Sequence, residues 1–120
     1  MTPSFKNAQD WPEAEYRKEV ARTLERVASA FEQVDPDHAE CELAMGVLTI
    51  VLPGRSKVIL SAQPAVRQLW LALASQGTAY HFGWDAHGQK WRDDKGRDIE
   101  VFSVLSKVLK DTAGLSLSFF

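Results

Sequence analysis

Between Glu32 and Glu42 the chain carries Glu32, Asp35, Asp37, Glu40 and Glu42, with His38 in their midst and no lysine or arginine among them. Carboxylate oxygens are hard donors that suit iron, manganese, calcium or magnesium. The same charge could instead dock a basic partner, or serve only as a solvated edge. Any cation held here would be held weakly, because the acids are neighbours in one stretch and do not converge on a cavity. A second set centres on Trp70. In Gln68-Leu69-Trp70-Leu71-Ala72 the leucines alternate with Gln68, Trp70 and Ala72, so Gln68 and Trp70 face away from the leucine side. The same parity puts Thr49, Ser61 and His81 on that outer face, with Gln63 at its edge. Tryptophan among neutral polar groups has the composition of an interface patch, although a tryptophan lying flat as a cover for the sheet would read the same way.

Other chemistry has no signature. There is no nucleophile elbow, no glycine-rich phosphate loop and no HExxH. Cys41 is the single cysteine. It alternates onto the inward face of its strand, where it reads as a small hydrophobe and not a nucleophile. One thiol also cannot hold an iron–sulfur cluster.

The elements that must position these residues follow from periodicity. Tyr16, Val20, Leu24, Val27, Phe31 and Val34 recur in steps of four and three, one face of an amphipathic helix. Asp10 with Glu13 has the spacing of a capping box, and Pro12 suits a first turn. Asp35-Pro36-Asp37 should end the helix, since proline disfavours helical geometry in the residue before it. From Ala39 the period falls to two. Strands are predicted around Glu40–Leu43, Leu48–Leu52, Lys57–Ser61, Leu69–Ala74, Thr78–Asp85 and Lys90–Arg92, joined by short turns that force antiparallel pairing. Asp98 reads as the N-cap of a second helix with Phe102, Leu105, Val108 and Leu109 as its apolar stripe. The alternating tail Leu115–Phe120 should pack rather than extend into solvent. Two one-sided helices need a shared face to bury against. The fold class is therefore α+β: a two-layer sandwich with the N- and C-terminal helices on one face of an antiparallel sheet of about six strands.

At 120 residues this is one domain over 1–120, with residues 1–10 expected to be a flexible lead-in. A net charge of -2 argues against nucleic acid as a partner. No apolar run approaches the ~20 residues of a membrane span. Met1 to Asp10 lacks the apolar block of a signal peptide, so a cytoplasmic location is expected.

The ordered set GVLTI (Gly46 to Ile50), SKVIL (Ser56 to Leu60), Gln63, QLWLA (Gln68 to Ala72), YHF (Tyr80 to Phe82), GQKW (Gly88 to Trp91) and Gly96 before a leucine-rich helix resembles frataxin, in its prokaryotic form. The resemblance runs from about Tyr16 to Phe119. It implies the two-helix sandwich, weak binding of ferrous and ferric iron along an acidic ridge, and contact with the cysteine desulfurase and scaffold of iron–sulfur cluster assembly, with no catalytic residues. Carried over by position, the metal ridge is Glu32, Asp35, Asp37, Glu40 and Glu42; His38, at a position where relatives often carry a carboxylate, joins them in the candidate metal set. The sheet contact carries over to Gln68 and Trp70, with His81 where the family commonly has arginine or histidine; Thr49, Ser61 and Gln63, placed by parity, complete the candidate partner face. A monomer is expected; an iron-storing ferroxidase oligomer and an interaction module with little iron binding are the alternatives. The chain departs from the family pattern at Arg22 and Arg26, which interrupt the polar face of the first helix, and at Ser61, where relatives carry asparagine.

Overall fold

The computed structural model describes residues 4–119. The elements, in chain order, are β1 (Phe5–Lys6), α1 (Glu13–Ala30), β2 (Glu40–Ala44), β3 (Val47–Val51), β4 (Lys57–Gln63), β5 (Gln68–Leu73), β6 (Thr78–Asp85), β7 (Lys90–Asp93) and α2 (Val101–Ala113). All strand pairs are antiparallel, in the order β1-β6-β5-β4-β3-β2 with β7 also on β6. The helices cover one face, and the expected sandwich of about six strands is present with β1 as a seventh. Each connection between β2 and β7 is a tight turn, so chain neighbours become sheet neighbours, as the short loops dictate.

The alternation decides which face is core. Leu48, Ile50, Val58, Leu60, Leu69, Leu71, Leu73 and Phe82 are all buried against the helices. From α1, Tyr16, Val20, Thr23, Leu24 and Val27 meet them, and from α2, Val101, Val104, Leu105 and Leu109. At one end of this core the aromatic side chains gather. Trp11 stacks on Trp84 at 5.9 Å, and Trp84 meets Trp91 edge-on at 5.3 Å. Such rings need partners for their polar atoms when buried. The Trp91 indole N–H donates to Thr23 Oγ1 at 2.9 Å, while the Tyr16 hydroxyl donates to the Gln68 carbonyl and accepts from the Gln63 N–H at 2.8 Å. Tyr16 thus clamps the two strands that carry Trp70 and Ser61.

Several boundaries differ from those the sequence suggests. Asp10 does not cap α1: Pro12 occupies the N-cap without a side-chain bond, and the Asn7 carboxamide takes the Gln9 and Asp10 N–H groups instead. Helix α1 ends at Ala30, ahead of Pro36, because its last turn tightens into Phe31 N–H to Ala28 O and Glu32 N–H to Ser29 O bonds. That early end lets the chain turn and drop Ala39 into the core. The N-cap of α2 is Glu100, whose carboxylate accepts from the Phe102 and Ser103 N–H groups. Asp98 is instead spent on Arg92 of β7, across the turn that follows that strand. Leu43, inward by parity, is 39% exposed on the last strand of the sheet, where it lines an open groove beside Val20, Ala21 and Leu24 of α1.

The lead-in is also more structured than expected. Phe5 and Lys6 pair with Asp85 and Trp84; residues 1–3 lie outside the described residues. At the other terminus the tail packs as its alternation predicts. Phe119 is 2% exposed and stacks on Phe102 of α2 at 5.5 Å, while Phe120 lies outside the described residues.

Candidate functional site

The two sequence-predicted sets occupy two parts of the molecule that share the sheet's uncovered face. Glu32 follows the last turn of α1, Asp35 and Asp37 lie in the loop to β2, and Glu40 and Glu42 lie on β2. All five are exposed. Pairing of Glu40 with Val51 and of Glu42 with Thr49, outward positions of β3, places both glutamates on the open face. None of the five forms an ion pair among the described residues. The Asp35 carboxylate accepts the Asp37 N–H at 2.9 Å and so fixes the turn between them.

A hard cation finds oxygen donors here, but no enclosure. Among the described residues no three carboxylate, imidazole or thiolate side chains stand close enough to hold one metal ion together. The donor set therefore fits cation cargo held loosely by one or two carboxylates, with water completing its shell. His38 stands apart from its acidic neighbours. Its Nε2 lies 2.7 Å from the Ala113 carbonyl oxygen, which can only accept, so Nε2 carries the hydrogen and the ring ties the loop to the end of α2. Cys41 is half-buried, and burial pushes its thiol up to about 11, far from the range of a nucleophile.

The Trp70 set is more tightly built. Ser61, Trp70 and His81 form one row across β4, β5 and β6. The His81 ring stacks on Trp70 with centroids 4.2 Å apart and planes 17° from parallel. Ser61 stands on the opposite flank, and Trp70 as a whole is half-buried. The indole N–H donates to Gln68 Oε1 at 2.8 Å, and Gln68 Nε2 donates to Asp94 Oδ2 at 3.0 Å. Gln63 lies opposite Gln68 in the adjoining row and reaches Ser61 Oγ at 3.4 Å. Thr49 is not part of this group: it sits in the row of Glu42, Ile59, Ala72 and Ala79. Asp94 is the member that sequence reasoning missed. It reads as a turn residue after β7, and only the Asp94 N–H to His81 O bond folds it back beside Gln68.

A third cluster is structural. Asp85, 3% exposed, accepts from the Ser4, His87 and Gly88 N–H groups and from Arg92 Nε. Burial pushes its carboxyl up, but these donors together outweigh it and hold the group below the ordinary carboxylate range. Asp93 is held low mainly by the Arg97 guanidinium, against the opposing effect of burial.

A frataxin-like domain matches residues 9–115. The iron-sulfur cluster assembly protein CyaY of Pseudomonas fluorescens (strain Pf0-1) is 33% identical over 107 residues, covering 89% of this chain and 94% of the relative. The protein of the same name from Stutzerimonas stutzeri (strain A1501) is 36% identical over the same shares. Among solved structures, the frataxin of Psychromonas ingrahamii superposes with a TM-score of 0.79 at 19% identity, over 92% of this chain and 99% of that one. Yeast frataxin gives 0.67 at 20% identity, over 88% and 86%. The structural likenesses speak for the fold, and the domain match with the sequence identities for the family: this chain belongs to the frataxin family.

Proposed function

We propose that this chain is an iron-linked regulator or iron donor in iron–sulfur cluster assembly, acting by docking on a cysteine desulfurase and its scaffold protein. The observation that carries this reading is that Glu40 and Glu42, with no ion-pair partner among the described residues, look out from the same sheet face as the Trp70 row, in a chain whose relatives are named for cluster assembly. Iron is cargo here. The exposed carboxylates from Glu32 to Glu42 would hold it loosely, and neutralising them would tune the contact with a basic partner surface. Trp70, stacked on His81 and fixed by Gln68, gives the contact a rigid aromatic centre of the kind that dominates interfaces. Ser61 and Gln63 complete the polar surround of Trp70, and Thr49 stands in the next outward row, opposite Glu42. No described helix is long and apolar enough to cross a membrane, which fits action in the cytoplasm.

A second reading, an interaction module with little iron binding, draws on two observations: the carboxylates do not converge, and His38 is engaged by Ala113. An anaerobic ferrous titration followed by backbone amide NMR, with calcium as control, separates the two. Shifts confined to residues 32–42 and selective for iron support the regulator. An equal response to calcium, or none, leaves the interaction module.

A further inference from the structure

We propose that strand β1 belongs to the partner-binding surface and that Phe5 is one of its contact side chains; this rests on the reading that the open sheet face is where a partner docks. β7 occupies one edge of β6 at Trp84 and Asp85, so β1, paired with the same two residues, must take the other edge. That is the edge β5 uses as far as Gly83. β1 therefore continues the line of β5, one step beyond Gln68. Its position is fixed from both sides: the Ser4 N–H donates to Asp85 Oδ1 at 3.1 Å, and the Ala86 N–H to the Ser4 carbonyl at 2.8 Å.

The Phe5 ring lies over Gly83. A Cβ placed on Gly83 would come within 2.9 Å of Phe5 Cδ1, so only glycine leaves room for the ring in this seat. Gly83 lies opposite Gln68 and two residues from His81, on the same outward face by strand parity. Phe5 is thus the next side chain along from the Trp70–His81 stack, and it remains 39% exposed. At the far end of the Trp70 row Val47, paired with Ser61, is exposed to the same degree. Phe5 and Val47 are thus exposed apolar side chains on either flank of the Trp70–His81 stack, with Glu40 and Glu42 along one side of this face and Asp94 on another. A protein surface with an apolar centre and a cationic rim is the complement. The family match begins at residue 9, so Phe5 is supplied from outside the matched domain.

The test uses the full chain and its Phe5→Ala, Phe5→Tyr and Trp70→Ala variants, with the desulfurase–scaffold complex of Pseudomonas fluorescens immobilised for biolayer interferometry. Thermal unfolding of each variant serves as the fold control. Truncating a contact aromatic weakens binding by about five- to tenfold, so Phe5→Ala should bind that much more weakly with its fold retained, and Phe5→Tyr should bind as the parent does. If Phe5→Ala binds like the parent while Trp70→Ala does not, Phe5 only covers Gly83 and the proposal falls, although the docking face stands. If the parent itself does not bind, the docking face falls and the proposal with it.

Discussion

The molecule holds two groups of carboxylates that a composition table would not distinguish. At the β6–β7 end, Asp85 and Asp93 are buried, each satisfied by several N–H groups and an arginine. At the β2 edge, Glu32, Asp35, Asp37, Glu40 and Glu42 are exposed and have no cationic partner among the described residues. The difference lies in what folding has already used. A carboxylate whose lone pairs are filled by its own chain stabilises a turn and has nothing left for a ligand. One left open to water keeps its charge available for a cation or a basic partner, at little benefit to the fold.

The largest test of this contrast is stability. Asp85→Ala leaves the Ser4, His87 and Gly88 N–H groups and the Arg92 Nε–H without their acceptor, while Arg92 keeps Asp98, and should cost roughly 2–4 kcal/mol. Glu42→Ala, at an exposed site with no partner, should stay within about 0.5 kcal/mol. Urea unfolding of both variants checks the difference, and equal losses would break the comparison. The pH dependence carries the same sign. Asp85 and Asp93 have folded pKa values below the unfolded value of about 3.9. Their contribution is therefore complete above that value and drains away as pH falls through the folded values. Unfolding followed from pH 7 to pH 2 should show a steep acid loss for the parent chain and a shallower one for Asp85→Ala.

These two groups also mark what a sequence can disclose. The five acids of the β2 edge were legible because adjacency along the chain is enough to make a charged edge. The sheet was legible because a period of two fixes which side of every strand meets the helices, and that put Thr49, Ser61, Gln68, Trp70 and His81 on one face. The strand register, which parity does not give, sets Ser61, Trp70 and His81 in one row and Thr49 in another. Asp94 was not legible, since its place beside Gln68 depends on how the chain leaves β7. Asp98 and Glu100 show the same limit: both have the chemistry of an N-cap, and the ion pair with Arg92 decides which one serves. Phe5 had no periodic context at all, and its seat exists only because Gly83 comes opposite Gln68 in the folded sheet.

The next effect is on binding. If the β2 edge is the docking charge of the open face, the double reversal Glu40→Lys with Glu42→Lys should weaken the desulfurase–scaffold contact by about tenfold at low salt. The gap should narrow as salt is raised, because exposed charges are screened over about 8–10 Å at physiological ionic strength. The same substitutions should leave thermal unfolding nearly unchanged. Affinity that ignores both the reversal and the salt would assign docking to the Trp70 row alone.

The smallest effect sits where the two kinds of polar group meet. His38 lies within the acidic run by sequence, yet its Nε2 hydrogen is given to the Ala113 carbonyl at the end of α2, which makes it kin to Asp85 in function. The bond is exposed, so its loss in His38→Ala should cost only about 0.5–1 kcal/mol, read by urea unfolding. The more telling readout is iron. If the ring is a tether, the variant's ferrous-induced amide shifts at Glu40 and Glu42 should match those of the parent, because those carboxylates are carried by β2 and not by the loop. If the shifts vanish with the imidazole while the fold persists, Nδ1 is a ligand, and the boundary between filled and available groups runs through His38 itself.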